Sequence, residues 1–140
     1  MKNELYLRTK SIHAPISRED GYRISVMSRH TLNDGITPDL LITNESFNEW
    51  KKELAPSDTL VGSYYKRNLP WVEFEKQYID FLQKPEQRVN LEILIAQLKT
   101  ENTITLLCVE EHPDHCHRRL LAQECQKNKS RNTANDSLKV

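Results

Sequence analysis

Ile104-Thr105-Leu106-Leu107-Cys108-Val109 is an apolar, partly β-branched run with a polar break at Lys99 to Asn102 before it. It reads as a buried strand. Eight residues past Cys108 comes Cys116-His117-Arg118-Arg119, placed at the first turn of a helix. Strand, short loop and helix start form the repeating unit of an open α/β sheet. In such sheets ligands sit beyond the carboxyl ends of the strands, where unpaired helix N–H groups attract anions. Two thiols, the Glu110 carboxylate, an imidazole and two guanidinium groups therefore converge on one location within a dozen residues.

Working outward, Leu5-Tyr6-Leu7 and Tyr22-Arg23-Ile24-Ser25-Val26 have strand character, and Asp20-Gly21 between them signals a turn. Ser28 to Thr43 has no helical period and is long for a connection in a compact domain, which marks it as a candidate functional loop. Ser46 and Glu49 have capping-box spacing, and Phe47, Trp50 and Leu54 then predict a short amphipathic helix ending at Pro56. Ser57-Asp58 caps a second short helix toward Tyr65. Trp71, Phe74 and Tyr78 with Phe81 or Leu82 form an apolar stripe at helical spacing, and Leu91, Leu94, Ile95 and Leu98 form another. The last helix is expected to open at an Asp114 cap and to run to about Lys127.

From Asn128 the chain has almost no apolar content to offset the entropy of ordering it. The expected organisation is one α/β domain over residues 1–127 and a disordered polar tail over 128–140. Its architecture is three-layered and Rossmann-like, with a small, mostly parallel sheet flanked by helices. No internal repeat is visible.

A chain of 140 residues buries a real core without disulfides or a structural metal. Twenty basic residues balance twenty acidic ones, so no overall field draws the protein to DNA or to an acidic membrane surface. Three Cys, clustered and odd in number, argue against a secreted disulfide framework, and no apolar N-terminal segment resembles a signal peptide. The expectation is a cytoplasmic protein with reduced thiols and no membrane span, since a span takes roughly 20 apolar residues.

With Asp114 as cap, Cys116 falls in a first turn where the helix dipole and neighbouring arginines favour a thiolate. The competing reading is a small buried residue that packs the helix on the sheet. Cys108 at the strand end is either core or a second member of the pocket, and a reversible Cys108–Cys116 disulfide requires a short Cα separation. His117 is a candidate acid or base, or a phosphate contact, although adjacent helical residues diverge by about 100 degrees. Arg118 suits bidentate capture of a phosphate or carboxylate; the alternative is a clasp with Glu110 across the loop. Cys108, His112, Cys116 and either His115 or His117 make a nominal zinc set. They lack a Cys-x-x-Cys knuckle, and neighbouring Cys116 and His117 rarely serve one tetrahedral ion, so no metal and no cofactor are expected. Cys125 is read as helix packing.

Tyr64-Tyr65-Lys66-Arg67 pairs aromatics with cations, the combination that holds single-stranded nucleic acid; the bland reading is packed tyrosines with solvated cations. The absence of a Gly-rich phosphate loop, a Gly-x-Ser-x-Gly elbow and His-Glu-x-x-His removes P-loop nucleotidases, ordinary hydrolases and zincins. Three Gly in the whole chain exclude a dinucleotide fingerprint.

These residues resemble the domain of unknown function 488 family, small prokaryotic and archaeal proteins. The resemblance runs from Lys10 to about Cys125. It rests on Ser11-Ile12, Asp20-Gly21-Tyr22-Arg23, Trp50 with Glu53 to Ser57, Tyr64 to Arg67, Trp71-x-x-Phe74, and Leu107-Cys108-x-Glu110 followed by Cys116-His117-Arg118. It implies a Rossmann-like α/β domain in which these positions face a common pocket. Relatives with the same Asp-Gly-Tyr-Arg opening often continue into Arg-x-Trp-Pro-Arg-Gly, where this chain has Ser28 to Gly35 and keeps only Arg29. Those relatives tend to lack the Cys-His-Arg motif, so thiol chemistry belongs at most to a subgroup.

The functional expectation is an anion pocket at the carboxyl end of the sheet, built from Cys108, Glu110, Cys116, His117 and Arg118, with Arg23 and Arg29 as a second cationic wall. Its ligand is a small anion or a nucleotide, and a thiol-dependent reaction is the sharper form of the reading. The alternative is a nucleic-acid module using Tyr64, Tyr65, Lys66 and Arg67, and a homodimer built on an exposed aromatic face is a third.

Overall fold

The computed structural model describes residues 3–32, 34–110, 115–132 and 136–140. Five strands make one sheet: β1 (Asn3–Ser11), β2 (Tyr22–Ser25), β3 (Glu49–Trp50), β4 (Thr103–Cys108) and β5 (Asp136–Lys139). Their order is β3-β2-β4-β1-β5 and every pairing is parallel. Among the described residues four helices flank the sheet: α1 (Asp58–Lys66), α2 (Trp71–Leu82), α3 (Pro85–Glu101) and α4 (His117–Asn132). The fold is thus α/β with Rossmann-like layering, and its deciding strand, β4, is the central one.

Period-two alternation divides the strands between two apolar clusters. Leu5, Leu7, Ile24, Ile104 and Leu106 join the main core with residues of the helices, including the α2 stripe Phe74, Tyr78 and Leu82 that the spacing predicts. At the carboxyl ends, Ile12, Met27, Leu107, Cys108 and Cys116 form a smaller cluster backed by Ile42 and Phe47. Ser57 caps α1 by accepting from the Leu60 N–H at 3.1 Å, and Pro85 opens α3 where its missing N–H costs nothing.

Gly21 turns the chain into β2 with φ +63°, and a Cβ there would lie 2.4 Å from the Thr103 carbonyl oxygen. A genuine capping box stands just before it. Ser17 accepts from the Glu19 N–H while the Asp20 carboxylate takes the Ser17 N–H.

Two expected elements differ. Residues 46–54 are not a helix but the edge strand β3 followed by a 3-10 turn at Lys52–Leu54. The two groups of that capping box are taken elsewhere: the Ser46 hydroxyl accepts from Thr43 N–H, and Glu49 accepts from Tyr22 and Gln97, while the Asn48 side-chain oxygen takes the Arg23 N–H. The polar tail expected from Asn128 carries regular structure among its described residues. Helix α4 continues to Asn132, and β5 pairs with β1, Leu138 lying opposite Leu5. One leucine packed on the core and a backbone ladder on a free sheet edge suffice, because edge pairing needs little apolar content. Among the described residues no helix is long and apolar enough to cross a membrane.

Candidate functional site

Parallel pairing aligns the carboxyl ends of β1, β4 and β2, with Cys108 opposite Ser11 and Leu107 opposite Ser25. The ladder extends one step further, since Val26 N–H donates to Leu107 O and Ile12 N–H to Cys108 O. This fixes the Val26 carbonyl close to the start of α4. His117 Nε2 lies 2.6 Å from that oxygen. A carbonyl only accepts, so Nε2 carries a proton, and in the neutral ring Nδ1 is the lone-pair end. Nδ1 lies 3.7 Å from Cys108 Sγ, and the Tyr78 ring meets the imidazole edge-on at 5.4 Å.

Cys108, Cys116 and His117 are all buried, and one ligand atom from each falls within 4.8 Å of the others. The adjacency of Cys116 and His117 is no obstacle, because α4 begins at His117 and Cys116 precedes it. Cys116 is therefore not in the first turn, as the sequence suggested. The Asp114 cap and His112 lie outside the described residues.

The two thiols are shifted in opposite directions. The hydrogen bond from Cys116 lowers the Cys108 thiol, outweighing burial, and the N–H groups of Glu110 and Val109 and the Arg118 charge add to it. Burial, and then Cys108 itself, push Cys116 well up. The more acidic thiol of the pair is thus the one on the strand end rather than the one beside the helix. With Nδ1 as the lone-pair end, the Cys108 S–H is the donor of that contact, and loss of its proton leaves a sulfur competent as a nucleophile or as a metal ligand. Cys125 is fully buried in the main core, as its packing assignment requires, and burial raises it to about 12.

These three residues form the floor of a cleft of about 490 Å³. Tyr64, Tyr65, Trp71 and Phe74 border it as an aromatic wall, and Arg29, Lys66 and Arg67 bring positive charge. Tyr64 packs edge-on to Trp71 at 5.6 Å, and Trp71 stacks on Phe74 at 5.1 Å and on His115 at 5.0 Å. Tyr65 donates to the Glu110 carboxylate, and burial together with that carboxylate raises the phenol. Arg29 donates to Gly35 O at 2.7 Å and to Asp58 at 2.8 Å, and Lys66 to Asp34 O at 2.8 Å. The long 28–43 connection is thereby tied to α1 across the cleft mouth.

Of the residues singled out in the sequence, Cys108, Glu110, Cys116, His117, Arg29 and the whole Tyr64 to Arg67 segment border this one cleft. The small-ligand and nucleic-acid readings thus converge on one place. Two arginines do not border it. Arg118 is buried, 1% exposed, and donates to the Glu110 backbone oxygen at 2.5 Å. It is the clasp of the loop, but through the carbonyl, since the carboxylate is taken by Tyr65. Arg23 projects from the other face of β2, where it pairs with Asp20 and donates to Ser46 O. The Val26 carbonyl and the Tyr65–Glu110 pair carry no sequence signal, being joined across 91 and 45 positions.

The family model described as the active DUF488-N3 subclade matches residues 7–129. The chain is similar to the uncharacterized protein YeaO of Escherichia coli (strain K12), 26% identical over 117 residues that cover 83% of this chain and 93% of that one. No solved structure matches the chain.

Proposed function

The chain belongs to the active DUF488-N3 subclade, and on that premise we propose that it is a cytoplasmic, thiol-dependent enzyme acting on a small anionic ligand of the nucleotide kind. The ligand's anionic group meets Arg29, Lys66 and Arg67 at the rim, its planar part lies along the aromatic wall, and its reacting atom reaches Cys108. The single observation that carries the reading is the meeting, in one cleft, of a cationic rim with a floor of two thiols and an imidazole. A cleft of this size suits a nucleotide-sized ligand, and its position beyond the carboxyl end of the central strand is where open α/β sheets bind ligands. Arg118 and Arg23 have no direct role in this reading.

The test is a thermal-shift screen of mononucleotides and sugar phosphates, followed by calorimetry of any hit. A hit is expected to bind with modest salt dependence and to lose at least tenfold in affinity in the Arg29→Ala/Lys66→Ala double variant. If nothing in the screen binds, the reading falls. If only single-stranded oligonucleotides bind, with affinity falling steeply as salt rises, the Tyr64 to Arg67 segment serves a nucleic-acid strand instead.

A further inference from the structure

We propose that Cys108, Cys116 and His117 form a three-ligand site for a divalent zinc-like ion whose fourth position opens into the cleft. The inference deepens the reading of the cleft floor as the reactive end. The ligand atoms come from Cys108 Sγ at the end of β4, Cys116 Sγ just before α4, and His117 Nδ1 on its first residue.

Ligand spacing supports the assignment. Zinc bonds of about 2.3 Å to sulfur and about 2.0 to 2.1 Å to nitrogen, at tetrahedral angles, place the two ligand atoms about 3.6 Å apart. Cys108 Sγ and His117 Nδ1 are 3.7 Å apart, and no pair in the group exceeds 4.8 Å. The group thus needs only a small contraction to close on an ion.

The surroundings of the imidazole support it independently. A metal-bound histidine typically donates its second ring N–H to a carbonyl or carboxylate, which fixes the tautomer and aims the lone pair. Here Nε2–H donates to the Val26 carbonyl at 2.6 Å and Nδ1 faces the sulfur.

The sequence argues against zinc because the set lacks a Cys-x-x-Cys knuckle and because neighbouring Cys116 and His117 rarely serve one tetrahedral ion. The start of α4 at His117 removes the second objection. Three protein ligands with an open position characterise a catalytic rather than a structural zinc site, and all three border the cleft. With the ion bound, Cys108 is a ligand rather than the attacking group, and the fourth position takes water or the reacting end of the ligand proposed above, whose anionic group stays at the Arg29, Lys66 and Arg67 rim.

The experiment is titration of the full-length protein, stripped by a chelator, with Zn²⁺ against a chromophoric indicator and separately with Co²⁺. One tight equivalent is expected, and the Co²⁺ form should show thiolate-to-metal absorption together with the visible bands of a tetrahedral ion. Both signals should be lost in Cys108→Ser and in His117→Gln, and kept in Cys125→Ser. Should a variant fail to fold, site-resolved alkylation of the wild type decides: Zn²⁺ is expected to shield Cys108 and Cys116 at least tenfold. Absence of stoichiometric binding, octahedral Co²⁺ bands without thiolate absorption, or unchanged alkylation with Zn²⁺ overturns the site. The apo-protein's own thiol reactivity, measured with chelator present, tests the thiol reading separately.

Discussion

His117 holds Cys108 and the Val26 carbonyl with opposite nitrogens of one ring, Nδ1 at 3.7 Å from the sulfur and Nε2 at 2.6 Å from the oxygen. The imidazole thus ties the end of the central strand to its neighbour β2 and to the start of α4. Structure and chemistry are coupled at this residue, and substitutions can separate them.

His117→Ala strands a buried carbonyl and is expected to cost about 1 to 3 kcal/mol, the penalty of an unsatisfied buried acceptor. Glutamine places an amide N–H near the former Nε2. His117→Gln should recover most of that stability in chemical denaturation while leaving nothing in place of Nδ1. A Gln variant as unstable as the Ala variant would show that ring packing against Tyr78, rather than the Val26 bond, anchors the residue.

Arg118→Ala removes a fully buried guanidinium that donates to the Glu110 carbonyl. The expected outcome is a stability loss of about 2 kcal/mol or more, read from denaturant midpoints. Ligand affinity of the remaining folded protein should fall far less than in the Arg29→Ala/Lys66→Ala variant. Unchanged stability with abolished binding would return Arg118 to the pocket.

Gly21→Ala meets the Thr103 backbone in a left-handed conformation, with nothing flexible to yield. A cost of about 1 to 3 kcal/mol is expected, measurable as a lowered melting temperature. A neutral substitution would mean that the turn relaxes without disturbing the β1–β2 connection.

Asp20 supplies a pH dependence. Burial raises its carboxyl, but hydrogen bonds from the Ser17 backbone, Lys10 and Arg23 together outweigh it, and the net shift is downward. A carboxyl lowered on folding contributes stability above its unfolded value near 3.9, and that contribution is lost as pH falls through the folded value. Asp20→Asn should therefore be destabilised relative to wild type at pH 7, with the gap closing below about pH 4. A gap that persists at acid pH would assign the effect to packing instead.

Much of the fold was legible because it rests on local periodicity: the Ile104 to Cys108 strand, the Phe74, Tyr78 and Leu82 stripe and the Ser57 cap all stand where the sequence puts them. The failures lie where long-range pairing overrides local pattern. Glu49 and Trp50 join β2 although their spacing suits a helix, and Leu138 adds a strand from a polar tail. The cleft was legible as a cluster, since β4 and α4 carry it within one supersecondary unit. Which group points inward was not legible, because it depends on partners far away in sequence. Arg118 turns to the Glu110 carbonyl, Tyr65 takes the Glu110 carboxylate, and the Val26 carbonyl orients His117.

A cleft floor that is an accessible, reactive end rather than sealed core must expose its thiols to reagent in the folded protein. The measurement is site-resolved alkylation of the folded, metal-stripped protein with iodoacetamide as a function of pH, read by mass spectrometry. Cys108 is expected to react first and below the ordinary thiol range, Cys116 later, and Cys125, raised to about 12 in the main core, only on unfolding. Uniform protection of all three cysteines until the protein unfolds would contradict the account and make the cluster packing alone.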